Sequence, residues 1–296
     1  MRRLALNLNF PAFLNFLSIV STAVILPAIA PITSSLIPLV AAQDQCNSVF
    51  SRLRSHKVGA GETIESIANR YGLIAQTLLS FNPILNQGLP SVGTDILVPP
   101  VNGIAISVPS GTTWAELARR YGVRAGVLFE LNGCQSPTSV IFLPGINWTS
   151  SATPQRFQSA IDRYPLTPPT QILLGYGFYG DPAANQFHSG IDLAAPLGAT
   201  VVAAGNGVVA FAGEQGVWGK MVAINHANGQ QSRYAHLGSI SVTVGQEVRS
   251  GAPLGTVGNT GSPQSSQPHL HFEVRIISPA GALAQDPELY LAPLDR

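Results

Sequence analysis

Displaced by fifty residues, the chain aligns with itself: Gly61, Thr63, Ile67, Ala68, Arg70, Tyr71, Gly72, Leu78 and Asn82 fall on Gly111, Thr113, Leu117, Ala118, Arg120, Tyr121, Gly122, Leu128 and Asn132. A fixed period of this size marks two copies of one small supersecondary unit. In the first copy Ile64, Ile67, Ala68 and Tyr71 take the i, i+3, i+4, i+7 spacing of one helix face. Trp114, Leu117, Ala118 and Tyr121 repeat that spacing in the second. Thr63 and Thr113 are placed to cap these helices, Glu116 completes a capping box with Thr113, and Gly72 and Gly122 are placed to end them in the left-handed conformation. Val58 and Ile96-Leu97-Val98-Pro99 read as short strands around a pair of helices.

These residues resemble the LysM module, a small βααβ unit, over about His56 to Pro99 and again over about Ile106 to Pro144. Boundaries at 56–100 and 105–144 follow. The second copy departs from the pattern at its end, where Cys134 to Ser139 stand in place of a clean closing strand. The resemblance implies binding of N-acetylglucosamine-containing glycan. The plainer reading of the residues is a pair of helical packing units.

Before the repeat, Arg2 and Arg3 are followed by a run without one charged residue as far as Ala42, and Val40-Ala41-Ala42 offers small residues ahead of Gln43. Residues 1–42 therefore read as a signal peptide or an uncleaved membrane anchor, and the remainder as exported to the periplasm, cell envelope or exterior. The two cysteines, Cys46 and Cys134, can pair in such a compartment or remain two thiols; a bridge closing so long a loop contributes on the order of 4 kcal/mol in the chain-entropy model. Only 10% of residues are charged and the net charge is +1, which excludes the broad basic surface that nucleic acid requires. With 29 glycines and 23 prolines, the composition suits short strands and turns more than long helices. Residues 145–170, with Thr149-Ser150-Ser151 and Pro165, Pro168 and Pro169, read as a linker that contains a formal glycosylation sequon at Asn147.

Five of the six histidines lie between His188 and His271. His188-Ser189-Gly190-Ile191-Asp192 sets an imidazole and a carboxylate four residues apart. His269-Leu270-His271-Phe272-Glu273-Val274-Arg275-Ile276 alternates with period two, so Leu270, Phe272, Val274 and Ile276 form an apolar face while His269, His271, Glu273 and Arg275 share the other. Two same-face histidines about 6 to 7 Å apart can address one metal and its water. His236 sits in a strand-like stretch beside Arg233 and Tyr234, and His226 precedes a turn and reads as structural. Taken singly, each of these stretches is also explained by a solvated strand face or a surface pair.

Together they resemble the M23 family of zinc metallopeptidases, the lysostaphin and LytM type, over roughly Gln171 to the C-terminus. The resemblance is carried by Gly175-Tyr176-Gly177, Gly207-Val208-Val209, Gly255 with Gly258-Asn259-Thr260-Gly261, and Pro268-His269-Leu270-His271-Phe272-Glu273 as well as the histidines. It implies a 171–296 peptidase domain: an antiparallel, sheet-rich catalytic domain with a narrow groove, giving the whole chain an α+β, mostly β class. It also implies His188, Asp192 and His271 as zinc ligands, with His236 and His269 flanking the bound water and the substrate carbonyl. Two imidazoles and one carboxylate leave a fourth zinc position open to water, as catalytic sites do. Since no H-E-x-x-H glutamate is present, a histidine is expected as general base, His269 with His236 on the oxyanion or the two reversed. Peptidoglycan is the substrate that this family implies. A wall-binding protein that activates another hydrolase is the alternative, and a glycan-binding module on an inert β scaffold is a third.

Overall fold

A computed structural model describes residues 46–145, 159–167, 170–180 and 186–291. The expected leader over 1–42 and the Asn147 sequon lie outside the described residues. The chain divides into Met1–Pro38 and Leu39–Arg296, and every described residue belongs to the second part. Among the described residues no helix is long and apolar enough to cross a membrane.

The repeat folds into two βααβ units. The first comprises β1 (Arg54–Lys57), α1 (Ile64–Arg70), α2 (Ala75–Phe81) and β2 (Asp95–Val98), with β2 antiparallel to β1. The second comprises β3 (Gly103–Ser107), α3 (Trp114–Tyr121), α4 (Ala125–Leu131) and β4 (Val140–Pro144), with β4 antiparallel to β3. A closing strand is therefore present in the second unit, contrary to expectation. The connection to it is shorter than in the first unit, and Gly133 and Cys134, both at positive φ (90° and 52°), turn the chain at its start. Thr63 and Thr113 both cap through capping boxes, completed by Ser66 and Glu116.

The repeated asparagine explains itself. Asn82 Nδ2 donates to Leu78 O and Leu97 O while its Oδ1 accepts from Leu97 N; Asn132 does the same with Leu128 O, Phe142 O and Phe142 N. Each pins the second helix of its unit to the closing strand. The units are also fastened to each other. Asn102 Oδ1 accepts from Ile74 N (2.8 Å) and Thr77 Oγ1 (3.1 Å), and Phe81 packs into the core of the second unit beside Phe142.

The rest of the chain is almost entirely antiparallel strand: β5 (Ile172–Leu174), β6 (Gly177–Phe178), β7 (Phe187–His188), β8 (Ile191–Ala194), β9 (Thr200–Val202), β10 (Gly207–Glu214), β11 (Lys220–His226), β12 (Gln230–Ile240), β13 (Glu247–Val248), β14 (Pro253–Val257), β15 (His269–Ser278) and β16 (Gly281–Gln285). All but β6 and β7 join one ten-stranded sheet, ordered β13-β10-β11-β12-β15-β8-β5, with β14 on β12 and β9 and with β16 on β15. The period-two expectation for β15 holds: Leu270, Phe272 and Val274 enter a core with Ile191, Leu193 and Tyr234. His271, Glu273 and Arg275 face the other way.

That second face is covered too. α4 lies over it, where Glu130 meets Arg275, and Phe129 packs against Phe178 (edge-on) and Phe187 (tilted) of the separate β6–β7 pair with ring centroids 5.5 and 5.3 Å apart. A disulfide between Cys46 and Cys134, with Cα atoms 5.5 Å apart, ties the start of the described chain to this unit. Residues 159–167, expected within the linker, instead pack against the peptidase-like sheet: Ile161 and Leu166 are buried in its core, and Asp162 N and Arg163 N donate to Ala204 O. Two large apolar side chains in a polar stretch are what draw it in.

Candidate metal centre

The register of β8 on β15 sets Asp192 directly opposite His271. His188 reaches the same point from β7 because the chain folds tightly over β15 at Gly190, where a Cβ would stand 2.3 Å from Phe272 O. The His-x-x-x-Asp spacing is thus a strand entry and not a helix turn. His188 Nε2 lies 3.1 Å from Asp192 Oδ1 and 3.0 Å from His271 Nδ1, and His271 Nδ1 lies 2.9 Å from Asp192 Oδ1.

The outer nitrogens decide what those atoms carry. His188 Nδ1 donates to Gly175 O at 2.8 Å, in the Gly-Tyr-Gly segment, and His271 Nε2 faces Glu273 Oε1 at 3.4 Å. Glu273 Oε1 also accepts from Ser189 Oγ. With each outer nitrogen holding its proton, His188 Nε2 and His271 Nδ1 turn lone pairs toward each other and toward a carboxylate oxygen. Three buried acceptors that converge in this way repel one another unless a proton or a cation sits among them. The group fits a metal ion, and its donor set matches the catalytic zinc pattern.

His236 arrives by a different device. Along β12 Tyr234 points into the core, so regular alternation would send His236 there as well. Instead Tyr234 pairs with Val222 while Leu237 pairs with Lys220, so β12 holds one extra residue in a bulge, and His236 takes a left-handed φ of 59°. This turns its ring to the site, 5.3 Å from the His269 ring and 6.0 Å from that of His271. His236 Nδ1 donates to Thr260 O (2.9 Å) and His269 Nδ1 to Gln267 O (2.8 Å), which leaves both Nε2 atoms as acceptors. His269 Nε2 is buried without a hydrogen-bond partner among the described residues, 3.7 Å from Asp192 Oδ2.

Over these rings lies Trp218, with its ring 4.7 Å from His271 and 6.3 Å from His236. Its loop is locked to the Gly258-Asn259-Thr260-Gly261 turn by mutual close approach. A Cβ on Gly219 would stand 2.3 Å from the Thr260 carbonyl carbon, and one on Gly261 2.3 Å from Val217 O. Thr260 Oγ1 accepts from Lys220 N and donates to Leu237 O, so a single turn supports both Trp218 and His236. The cleft between them has a volume of about 230 Å³ and is lined by His188, Asp192, His236, His271, Trp218 and Gln264 among others.

A model of peptidase family M23 matches residues 186–287, and one of the LysM domain matches residues 56–99, the first βααβ unit. The uncharacterized lipoprotein YgeR of Escherichia coli (strain K12) is 30% identical over 207 residues, 64% of this chain and 76% of that protein. This chain belongs to peptidase family M23. The DD-carboxypeptidase/endopeptidase Mpg of Neisseria meningitidis serogroup B (strain ATCC 13091 / M2091) is 41% identical over 126 residues, 40% of this chain and 29% of its own. The peptidoglycan DD-endopeptidase ShyA of Vibrio cholerae serotype O1 (strain ATCC 39315 / El Tor Inaba N16961) is 41% identical over 87 residues, 29% of this chain and 20% of its own. The chain thus spans less than a third of the length of these two relatives.

All five residues expected at the M23 site come together in it. Burial opposes ionisation of Asp192, but hydrogen bonds to His188 and His271 hold its carboxyl below the usual carboxylate range. Burial likewise opposes protonation of His271, and the Asp192 and Glu273 carboxylates outweigh it, raising the pKa to about 9. For His236 burial, followed by repulsion from His271 and His269, overcomes the Thr260 carbonyl and pushes the pKa down to about 4. At neutral pH its Nε2 is therefore a lone pair. His226 lies elsewhere, its Nδ1 donating to Asn206 O and its Nε2 2.7 Å from Ser232 Oγ, which agrees with a structural role. The bulge at His236 and the part played by the Thr260 carbonyl were not read from the sequence, because neither follows from local pattern.

Proposed function

We propose that this chain is an exported zinc endopeptidase that hydrolyses amide bonds in the stem or cross-link peptides of peptidoglycan, with the first unit gripping N-acetylglucosamine-containing glycan and the second a divergent copy of the same module. The observation that carries this reading is the convergence of His188 Nε2, Asp192 Oδ1 and His271 Nδ1 within 3.1 Å of one another. Two further imidazoles offer lone pairs beside them. The family membership, the LysM match and the printed activities of Mpg and ShyA support the substrate.

His188, Asp192 and His271 would hold the zinc, and Gly175 O and Glu273 keep the two rings turned toward it. Zinc bound there would polarise the scissile carbonyl and make a water molecule acidic near pH 7. His269 Nε2 accepts a proton as the water oxygen adds to the carbonyl carbon, and it returns that proton to the amide nitrogen as the C–N bond breaks. Asp192 Oδ2 lies 3.7 Å from His269 Nε2. His236 Nε2 carries a lone pair at neutral pH while its Nδ1–H is committed to Thr260 O, so it is a second acceptor for the water proton and steadies the oxyanion only once protonated. The pair can therefore exchange roles according to which ring takes the water proton. Trp218 shields the rings from bulk solvent.

The test is release of free amines from purified peptidoglycan, followed by mass spectrometry of the fragments. Zinc-dependent release that chelator abolishes and zinc restores, and that His271→Ala lacks, is the expected outcome. A zinc-loaded protein that leaves every wall preparation intact would overturn the proposal in favour of a non-catalytic wall-binding regulator.

A further inference from the structure

The second helices of the two copies differ in what they face. At the same fifty-residue offset, Gln76, Leu79 and Ser80 of α2 correspond to Gly126, Phe129 and Glu130 of α4. In the first unit Gln76 is exposed, Leu79 and Ser80 are half-buried, and Ser80 Oγ merely donates to Thr77 O. In the second, every residue from Gly126 to Leu131 is buried. One side of α4 packs on its own unit, and the other meets the M23 domain. Gly126 makes that approach feasible, since a Cβ there would lie 2.6 Å from the Phe187 ring and 2.7 Å from Tyr176 Oη.

Packing accounts for Gly126 and Phe129 but not for Glu130. A carboxylate in the last turn of a helix faces the negative end of the dipole. A buried one is unfavourable unless fully paired. Here both oxygens are used: Oε1 accepts from Arg275 Nη2 at 2.6 Å and Oε2 from Ala284 N at 2.8 Å. Arg275 spends its other arm on Glu273, with Nη1 donating to Oε2 at 2.9 Å, and its Nε donates to Ala282 O. Glu273 Oε1 in turn faces His271 Nε2 at 3.4 Å. An unbroken line of buried charge therefore runs from α4 to the ring of a candidate metal ligand.

We infer that Glu130 is a positioning residue for the M23 site: by holding Arg275 it fixes Glu273, and Glu273 fixes the tautomer and tilt of His271. The second unit is on this view a built-in part of the catalytic domain, its second helix turned from a free surface into a supporting one. This inference rests on the proposed zinc site, and the experiment separates the two.

Full-length wild type, Glu130→Gln and Ile141→Ala are compared. Ile141→Ala cuts into the core of the second unit without touching the charged line. Zinc affinity is measured by chelator competition, site geometry by the visible spectrum of the cobalt(II)-substituted protein, and kcat and KM on a wall peptide. Glu130→Gln is expected to bind zinc up to about ten-fold more weakly, at the low end of what loss of a ligand's direct partner causes. It should also shift the cobalt bands and lower kcat with KM unchanged. Ile141→Ala should lose thermal stability yet keep wild-type zinc affinity and cobalt bands. Wild-type zinc affinity in Glu130→Gln would overturn the inference. So would zinc affinity that falls in proportion to lost stability in both variants. Should Glu130→Gln not yield folded protein, Glu130→Asp takes its place in the same comparison. If wild type itself binds no zinc, the proposed function fails, and the inference is decided by the 15N shifts of His271, which must change in Glu130→Gln if Glu130 positions that ring.

Discussion

Replacing His236 by glycine should leave a more stable protein than replacing it by alanine, the reverse of the usual order in a strand. Both substitutions delete the imidazole and its hydrogen bond to Thr260 O, so those losses cancel in the comparison. What remains is the backbone, held at φ 59° in the bulge of β12. An L-residue in that conformation costs about 1–2 kcal/mol that glycine does not. Glycine gives back about 0.5–1 kcal/mol in the greater freedom of the unfolded chain. The net advantage of His236→Gly over His236→Ala is therefore about 0–1.5 kcal/mol, centred on about 0.75 kcal/mol. At about 2–4 °C per kcal/mol for a unit of this size, its Tm should lie a few degrees higher. Thermal unfolding of both variants by circular dichroism, each with excess chelator, is the measurement, and both should be inactive on peptidoglycan. An alanine variant as stable as the glycine variant, or more so, would show that the bulge stores no strain and that His236 does not depend on it.

Further outcomes follow from other parts of the fold. Asn132→Ala removes the side chain that satisfies Leu128 O, Phe142 O and Phe142 N, and should cost about 2–3 kcal/mol in urea denaturation. Gly219→Ala places a methyl group where the Thr260 carbonyl stands, at a φ of 61°; it should cost at least about 1–3 kcal/mol and, by displacing Trp218 and His236 together, abolish most amine release. His226 is held below the ordinary imidazole pKa by burial. Its contribution to stability is thus complete above about pH 6.5, the unfolded value, and is lost as pH falls through the folded one. Urea midpoints measured from pH 8 downward should accordingly fall less steeply in His226→Gln than in wild type.

Much of the site was legible because β15 obeys simple alternation. Once Leu270, Phe272 and Val274 face the core, His271, Glu273 and Arg275 must face away from it, and only the cross-strand register with Asp192 is left to tertiary structure. His236 defeats the same rule. Counting by twos from Tyr234 sends it into the core, and the extra residue that rescues it leaves no mark in composition. The burial of residues 159–167 was hidden by neighbouring prolines, which outweighed the signal of Ile161 and Leu166. Glu130 was masked by the repeat itself. The match of α4 to α2 drew attention to shared residues, whereas the chemistry lies in the positions where the copies differ.

The fastening of the first unit to the second has a consequence for how wall material would be cut. Asn102 and Phe81 join one βααβ unit to the other, and α4 joins the second to the sheet that carries His271. No slack tether intervenes along that route among the described residues. Under the proposed function, glycan gripped by the first unit would be held at a constant reach from the rings of the candidate site, and the protein would act as a gauge: on an ordered wall, the spacing between grip and cut would be set by its own frame as well as by which bonds it could break.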